Sequence, residues 1–364
     1  MQAVLLVGGE GTRLRPLTCN TVKAMVPILN RPFLEHMIRY LSSYDVDDII
    51  LALCYLPDRI ERHFGDGSQF GVKLTYVMEE SPLGTAGAVK NADRYLDDRF
   101  LVFNGDIFTD IDLGEMLSFH HLREAKATIA LTPVEDPTAY GVIETQTDGR
   151  VGRFLEKPSW EEVTTNRINA GIYILEKEVL RDVPADTHFM FEYHLFPRLL
   201  ADEVPIYGYL SDGYWIDIGT PEKYLQVHLD LLEGKGTTSL LERLTPTDPT
   251  EGAAGAEIHP SSAIEGPVVL GSRCSIGADV RITGPAAIGD DCHILEGATV
   301  EEAVLWYNVQ VGKDATLRRC VVGDNCRIGD GSSIDHSSII GDHVTIAPGS
   351  QLPPDSRIWP GTQV

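Results

Sequence analysis

Residues 268–300 read "VVLGSRCSIGADVRITGPAAIGDDCHILEGATV", and the spacing of their aliphatic side chains decides the architecture of the C-terminal part. Leu270, Ile276, Ile282, Ile288, Ile294 and Val300 recur at every sixth position. A period of six fits neither the roughly 3.6-residue turn of a helix nor the alternation of a strand. It suits a solenoid, in which short strands form the flat faces of a coil and each aliphatic side chain stacks inside on its equivalent in the next coil.

The same period begins at Ile258 and Ile264 and slips by one residue between Val300 and Leu305. It continues through Val311 and Leu317, slips again to Val322, and runs on through Ile328, Ile334, Ile340, Ile346, Leu352 and Ile358 to Val364. Glycine follows the aliphatic residue at Gly271, Gly277, Gly289, Gly312, Gly323, Gly329 and Gly341, where the chain must turn a corner. Small side chains stand two places before the aliphatic ones, Cys274, Cys292, Cys320 and Cys326 among them. The pattern resembles the hexapeptide-repeat left-handed β-helix family, which implies three hexads to each triangular coil. Many members of that family are acyltransferases with a coil-edge histidine, so His259, His293, His336 and His343 are candidates for that role. With the hexads running to Val364 and no further segment to complete an acyl-donor site, the expectation is instead an interaction and assembly module.

Composition sets outer limits. A chain of 364 residues with 43% hydrophobic and 23% charged residues has room for two globular domains. Its net charge of −24 argues against non-specific binding to nucleic acid or a membrane surface, both of which are anionic. An anionic ligand must meet a local basic cluster. No apolar run approaches the roughly 20 residues needed to span a bilayer, and the N-terminus enters a strand directly, so a cytoplasmic protein is expected. The six cysteines contain no CxxC pair, which disfavours both a disulfide framework and a zinc site.

Ahead of the repeats, apolar runs alternate with amphipathic stretches: "AVLLV", "PFLEHMIRYLSSY", "DIILAL", "VKLTYV", "RFLVFNG" and "KATIALTPV". Such alternation predicts an α/β domain with a mostly parallel sheet, whose ligand crevice lies at the C-terminal ends of the strands. "AVLLV" leads into "GGEGTRLRPLT", residues 8–18. Gly8, Gly9 and Gly11 allow backbone N–H groups to approach a ligand closely, so the loop by itself is either an anion cradle or a tight turn. Arg13 and Arg15 favour the cradle. "FLVFNGD" delivers Asp106 just past a strand, and "GYWIDIG" presents Asp217 between apolar neighbours. Two acids beside a phosphate loop suit Mg²⁺, although either acid alone also suits a turn or helix cap.

The loop, together with "VKAMVPILNRPFLEH", resembles the signature of the sugar-1-phosphate nucleotidylyltransferases. Further resemblances follow in order: "PLGTAGAV", "FNGD", "YGVIE", "FLEKP", "INAGIYI" and "WIDIGTPEKY". Within that family the chain looks most like guanylyltransferases that act on mannose-1-phosphate and carry a repeat domain. The resemblance implies a Rossmann-like nucleotidyltransferase domain over residues 1–235, a linker over 236–256 and a left-handed parallel β-helix over 257–364. In one respect the chain departs from the family: its usual Pro-Lys-Pro is Val22-Lys23-Ala24 here, which removes a restraint on the loop that aims the lysine.

The resemblance also implies roles. Arg13 would hold the β- and γ-phosphates and Lys23 the α-phosphate, while Lys157 would bind the attacking sugar phosphate and Asp106 and Asp217 would hold Mg²⁺. Leu6, Gly8, Gly9, Gly11, Thr12, Glu79 and Gly84 would complete the nucleotide site, and Gly141, Glu156 and Asn169 would meet the sugar. Glu79 speaks to the base, because relatives using UTP or dTTP commonly have glutamine there. A carboxylate can accept both N1–H and the N2 amino group of guanine, whereas uracil and thymine offer one donor flanked by carbonyls. The expected partners are therefore GTP, a sugar-1-phosphate and, through the β-helix, further copies of the chain. Three alternatives stay open: a uridylyl- or thymidylyltransferase for glucose-1-phosphate, a non-catalytic nucleotide-sugar-binding subunit, and acyl transfer on the β-helix.

Overall fold

A computed structural model describes residues 1–236 and 253–364. Most of the expected linker, residues 237–252, lies outside the described residues. The chain divides into two compact units, Met1–Gly9 with Leu34–Trp215 and Glu10–Phe33 with Ile216–Val364.

The first unit is built on an α/β sheet. Gln2–Leu6 is a strand of five residues in which Ala3, Val4 and Leu5 are fully buried, because parallel strands flank it on both sides. Its neighbours are Asp48–Leu53 and Arg99–Asn104, and Lys73–Met78 lies beyond Asp48–Leu53. The first four strands of the sheet in chain order thus lie 3-2-1-4, a Rossmann-like half with its switch point between Gln2–Leu6 and Arg99–Asn104. Past Arg99–Asn104 the sheet continues antiparallel through Arg167–Glu176, which also pairs with Gly141–Thr145 and with Ala127–Pro133. Ile206–Leu210 then returns parallel to Ala127–Pro133. Gly105 crosses the switch point: its N–H bonds the Leu6 carbonyl at 3.0 Å, and a Cβ there would lie 2.3 Å from that oxygen. Only glycine allows the two strand exits to close up this far.

In the second unit the hexads form a left-handed β-helix of three parallel sheets, each of six strands among the described residues. Inward side chains stack in register, eighteen residues apart from Ile258 to Ile276 to Ile294 and seventeen from Ile294 to Val311 to Ile328. The two slips in the hexad phase are therefore two coils shortened by one residue at a corner, with the interior column unbroken. The cysteines of the repeat are buried free thiols. Burial pushes Cys274 up to about 11 and Cys320 and Cys326 up to about 12, so they pack as small apolar groups. His259, His293, His336 and His343 all sit on the exposed rim of the coils.

Candidate active site

The predicted site residues divide between the two units. Leu6, Gly8, Gly9, Glu79, Gly84, Asp106, Gly141, Glu156, Lys157 and Asn169 belong to the first, and Gly11, Thr12, Arg13, Lys23 and Asp217 to the second.

In the first unit, two groups of residues gather at strand ends. Glu79 follows the strand Lys73–Met78, and its own N–H bonds the Leu53 carbonyl at 2.7 Å. Its side chain is buried. Oε2 accepts the Leu83 N–H at 2.9 Å, and Oε1 lies 3.3 Å from the position a Gly8 Cβ would take. Burial raises the Glu79 carboxyl above its ordinary range, against the pull of the Leu83 N–H. Gly84 opens the helix Gly84–Asn91, where the Phe189 carbonyl approaches within 2.9 Å of its Cβ position. Asp106 is half-buried in the turn after Gly105.

The second group surrounds Tyr173, which is wholly buried. Asn169 Nδ2 donates to the Tyr173 hydroxyl at 2.9 Å, and Asn169 Oδ1 accepts the Gly171 N–H at 2.9 Å. Tyr173 also bonds Glu192, whose Oε2 accepts from Thr85 Oγ1 at 3.1 Å. Gly141 pairs with Glu156 across two antiparallel strands, and a Cβ on it would fall 2.8 Å from Glu156 Oε2. Lys157, next along, adopts φ +47°, a left-handed conformation that a residue before proline rarely takes. Its N–H bonds the Tyr140 carbonyl at 3.0 Å.

Two half-buried carboxylates thus lie within electrostatic reach of each other and of the exposed Lys157. Burial raises both Glu156 and Glu192, Glu192 raises Glu156 further, and Lys157 opposes the rise in each. Asn104, the last residue of its strand, has a buried Oδ1 without a hydrogen-bond partner among the described residues. Such an acceptor suits a ligand donor. Asn104 lies inside the "FNGD" motif without a role of its own there, and Glu192 lies in no motif. The signal for Glu192 is a lone acid in the aromatic run Phe189–Phe196, which the structure winds into one π-helical turn at Phe191–Leu195.

In the second unit, buried Leu14 and Leu17 anchor the glycine loop while Arg13 and Arg15 stay exposed. Gly11 has φ +65°, its carbonyl accepts the Thr18 hydroxyl at 2.7 Å, and its Cβ position is 3.1 Å from Lys23 Cβ. The left-handed backbone at Gly11 disfavours any other residue, and a side chain there would also crowd the lysine. Lys23 begins a 3₁₀ turn, Lys23–Met25, held by Met25 N–H to the Val22 carbonyl at 2.9 Å. Val22 and Ala24 are buried, so packing supplies the restraint that the two prolines would have given. Arg13 and Asp217 meet around Gly219, whose Cβ position is 3.1 Å from Arg13 Nη2 and 2.6 Å from Asp217 Oδ1. Asp217 Oδ1 accepts the Gly219 N–H at 3.1 Å, and Oδ2 is ion-paired with Lys223, a residue that sequence reasoning passed over.

Residues 2–234 match the Nucleotidyl transferase family. The chain belongs to this family. Residues 253–352 match the EIF2B subunit epsilon LbH domain, in line with the three-sheet coil. This nucleotidyltransferase is 38% identical over 308 residues to the mannose-1-phosphate guanylyltransferase of Mycobacterium tuberculosis, covering 83% of each chain. It is 34% identical over 352 residues to the UTP–glucose-1-phosphate uridylyltransferase of Synechocystis, covering 92% of this chain and 90% of that one. The crystal structure of HddC from Yersinia pseudotuberculosis, complexed with GMP-PN, is similar at a TM-score of 0.54 and 33% identity, over 62% of this chain and 96% of that one. Among the described residues of the nucleotidyltransferase, no helix is long and apolar enough to cross a membrane.

Proposed function

We propose that the chain transfers a guanylyl group from GTP to mannose-1-phosphate, giving GDP-mannose and pyrophosphate. The observation that carries the base assignment is the buried Glu79 carboxylate beside Gly8. One oxygen is oriented by the Leu83 N–H, which leaves Oε1 and a second lone pair of Oε2 for the paired donors of guanine. The likeness to a mannose-1-phosphate guanylyltransferase and to a structure holding GMP-PN supports the same reading. The uridylyltransferase likeness keeps UTP and glucose-1-phosphate as the second reading.

In the reaction, a sugar-phosphate oxygen attacks the α-phosphorus, a new P–O bond forms, and the bond to the bridging oxygen breaks to release pyrophosphate. The nucleophile is already ionised, so no general base is needed; positioning and charge carry the catalysis. Arg13 would grip the departing pyrophosphate through its planar guanidinium, and Lys23 would offset charge on the α-phosphate. Lys157, constrained in its left-handed conformation, would hold the incoming phosphate, with Glu156, Asn169 and the Gly141 backbone on the sugar.

Members of this family typically use a divalent metal. Asp106 and Asp217 offer the hard oxygen donors that Mg²⁺ prefers, and Mg²⁺ would neutralise charge on the reacting phosphates. Assembly into homo-oligomers through the β-helix, and a cytoplasmic location, are parts of the same proposal. Pyrophosphate release across a matrix of GTP, UTP, dTTP and ATP with mannose- and glucose-1-phosphate tests it. Highest kcat/KM for GTP with mannose-1-phosphate is expected, and a pyrimidine preference would overturn the base assignment.

A further inference from the structure

The column of residues that follows the aliphatic side chain at one corner of the coil reads Gly271, Gly289, Trp306, Gly323, Gly341, Trp359. Of its two tryptophans, Trp359 is exposed, whereas Trp306 stands on one of the shortened coils and is covered. Trp306 is only 3% exposed, and its indole Nε1–H donates to the Tyr224 hydroxyl at 2.9 Å. Tyr224, on the helix Pro221–Leu232, is fully buried. An indole can only donate, so the tyrosine must accept from it and spend its own proton elsewhere. That proton goes to the Pro27 carbonyl.

Pro27 lies four residues after Lys23, in the same unit. Its carbonyl also faces His228 Nε2 at 3.1 Å. The Leu29 N–H points at His228 Nδ1 at 3.5 Å, leaving Nε2 as the nitrogen that donates to Pro27. Asn30 Nδ2 then bonds the Ile288 carbonyl at 2.7 Å, one residue before the column glycine Gly289. Toward the lysine, Val26 N–H bonds the Lys23 carbonyl at 3.2 Å and the Val26 carbonyl accepts the Phe33 N–H at 2.9 Å. Fixing Pro27 therefore fixes the turn that presents Lys23.

We infer that Trp306 and Tyr224 are positioning residues for nucleotidyl transfer, acting on Lys23 through the Pro27 carbonyl, so that the β-helix is part of the catalytic scaffold as well as a surface for assembly. This rests on the proposed role of Lys23. A lysine displaced by a fraction of an ångström still attracts the triphosphate but no longer meets the charge that grows on the α-phosphate. The loss should thus fall on kcat and leave KM nearly untouched.

The test uses the full chain, with steady-state pyrophosphate release and thermal unfolding of Tyr224→Phe, Trp306→Phe and the double variant. Each substitution keeps an aromatic ring and deletes one proton donor. Tyr224→Phe should lose about tenfold in kcat, with KM for both substrates changed less than about twofold. Because the two residues lie in series, the double variant should be no slower than Tyr224→Phe alone. Should Tyr224→Phe fail to fold, Trp306→Phe decides by the same split between kcat and KM. A kcat within twofold of wild type, strictly additive losses, or a rise in KM at constant kcat would overturn the inference. Lys23→Ala is measured alongside. If it retains wild-type kcat, the catalytic reading of Lys23 fails, whereas an inactive Lys23→Ala beside a fully active Tyr224→Phe removes only the relay.

Discussion

Lys223 is ion-paired with Asp217, the carboxylate that also receives the Gly219 N–H and, with the Arg13 guanidinium, flanks Gly219. The lysine stands one turn into the helix Pro221–Leu232, whose Thr220 cap fixes the first turn. A cation binding Asp217 must therefore compete with an ammonium already on one oxygen.

Lys223→Met should lower the Mg²⁺ concentration for half-maximal activity by about fivefold, since one such ion pair is worth about 1 kcal/mol. A Mg²⁺ titration of pyrophosphate release reads this directly. Asp217→Asn should instead reduce turnover by at least about a hundredfold with the fold retained. Unchanged Mg²⁺ dependence in Lys223→Met and near-normal turnover in Asp217→Asn would together remove Asp217 from the metal site.

Glu79→Gln exchanges one acceptor oxygen for a donor while keeping the shape. kcat/KM for GTP should fall by about tenfold or more, the cost of one unsatisfied polar contact, and the value for UTP should fall less or rise. Equal effects on both nucleotides would mean that Glu79 serves the Leu83 turn alone.

Glu192 carries a pH signature. Its carboxyl is raised above the ordinary glutamate value of 4.5, chiefly by burial, so the folded state favours the proton more than the unfolded chain does. The resulting stabilisation is complete below that ordinary value and is lost as pH climbs through the raised one. Glu192→Gln should therefore gain thermal stability relative to wild type across that climb, with little difference in acid. Melting temperatures measured from acid to neutral pH test it, and parallel curves for the two proteins would contradict it.

Gly105→Ala forces a methyl to 2.3 Å from the Leu6 carbonyl, a backbone atom that cannot swing aside. About 2 kcal/mol or more of destabilisation is expected in denaturant unfolding. A variant as stable as wild type would show that the two strand exits can separate freely.

Much of this protein is legible in its sequence because the information is periodic or local. The hexads name nearly every inward residue of the β-helix, since a stacked coil repeats one environment and even a shortened coil keeps its column. The apolar runs locate the strands, but not the antiparallel extension through Arg167–Glu176, because strand direction depends on how distant segments pair. Arg13, Lys23, Asp106, Lys157 and Asp217 are visible as motif residues. Glu192 lies in no motif, and Asn104, though inside "FNGD", gains its significance only from its place beside Tyr173.

The sequence alone determined the two architectures and the chemical vocabulary of the site, because strand period, coil period and motif spacing are properties of neighbours along the chain. Tertiary structure alone decided that Glu10–Phe33 packs in one unit with the β-helix, that Lys223 sits on Asp217, and that Trp306 reaches Pro27 through Tyr224. Trp306 and Pro27 are hundreds of residues apart in sequence, and no local pattern encodes such a pairing. It exists because a buried indole N–H costs free energy unless satisfied, and folding leaves the Tyr224 hydroxyl to accept it while donating to the Pro27 carbonyl, which His228 also serves.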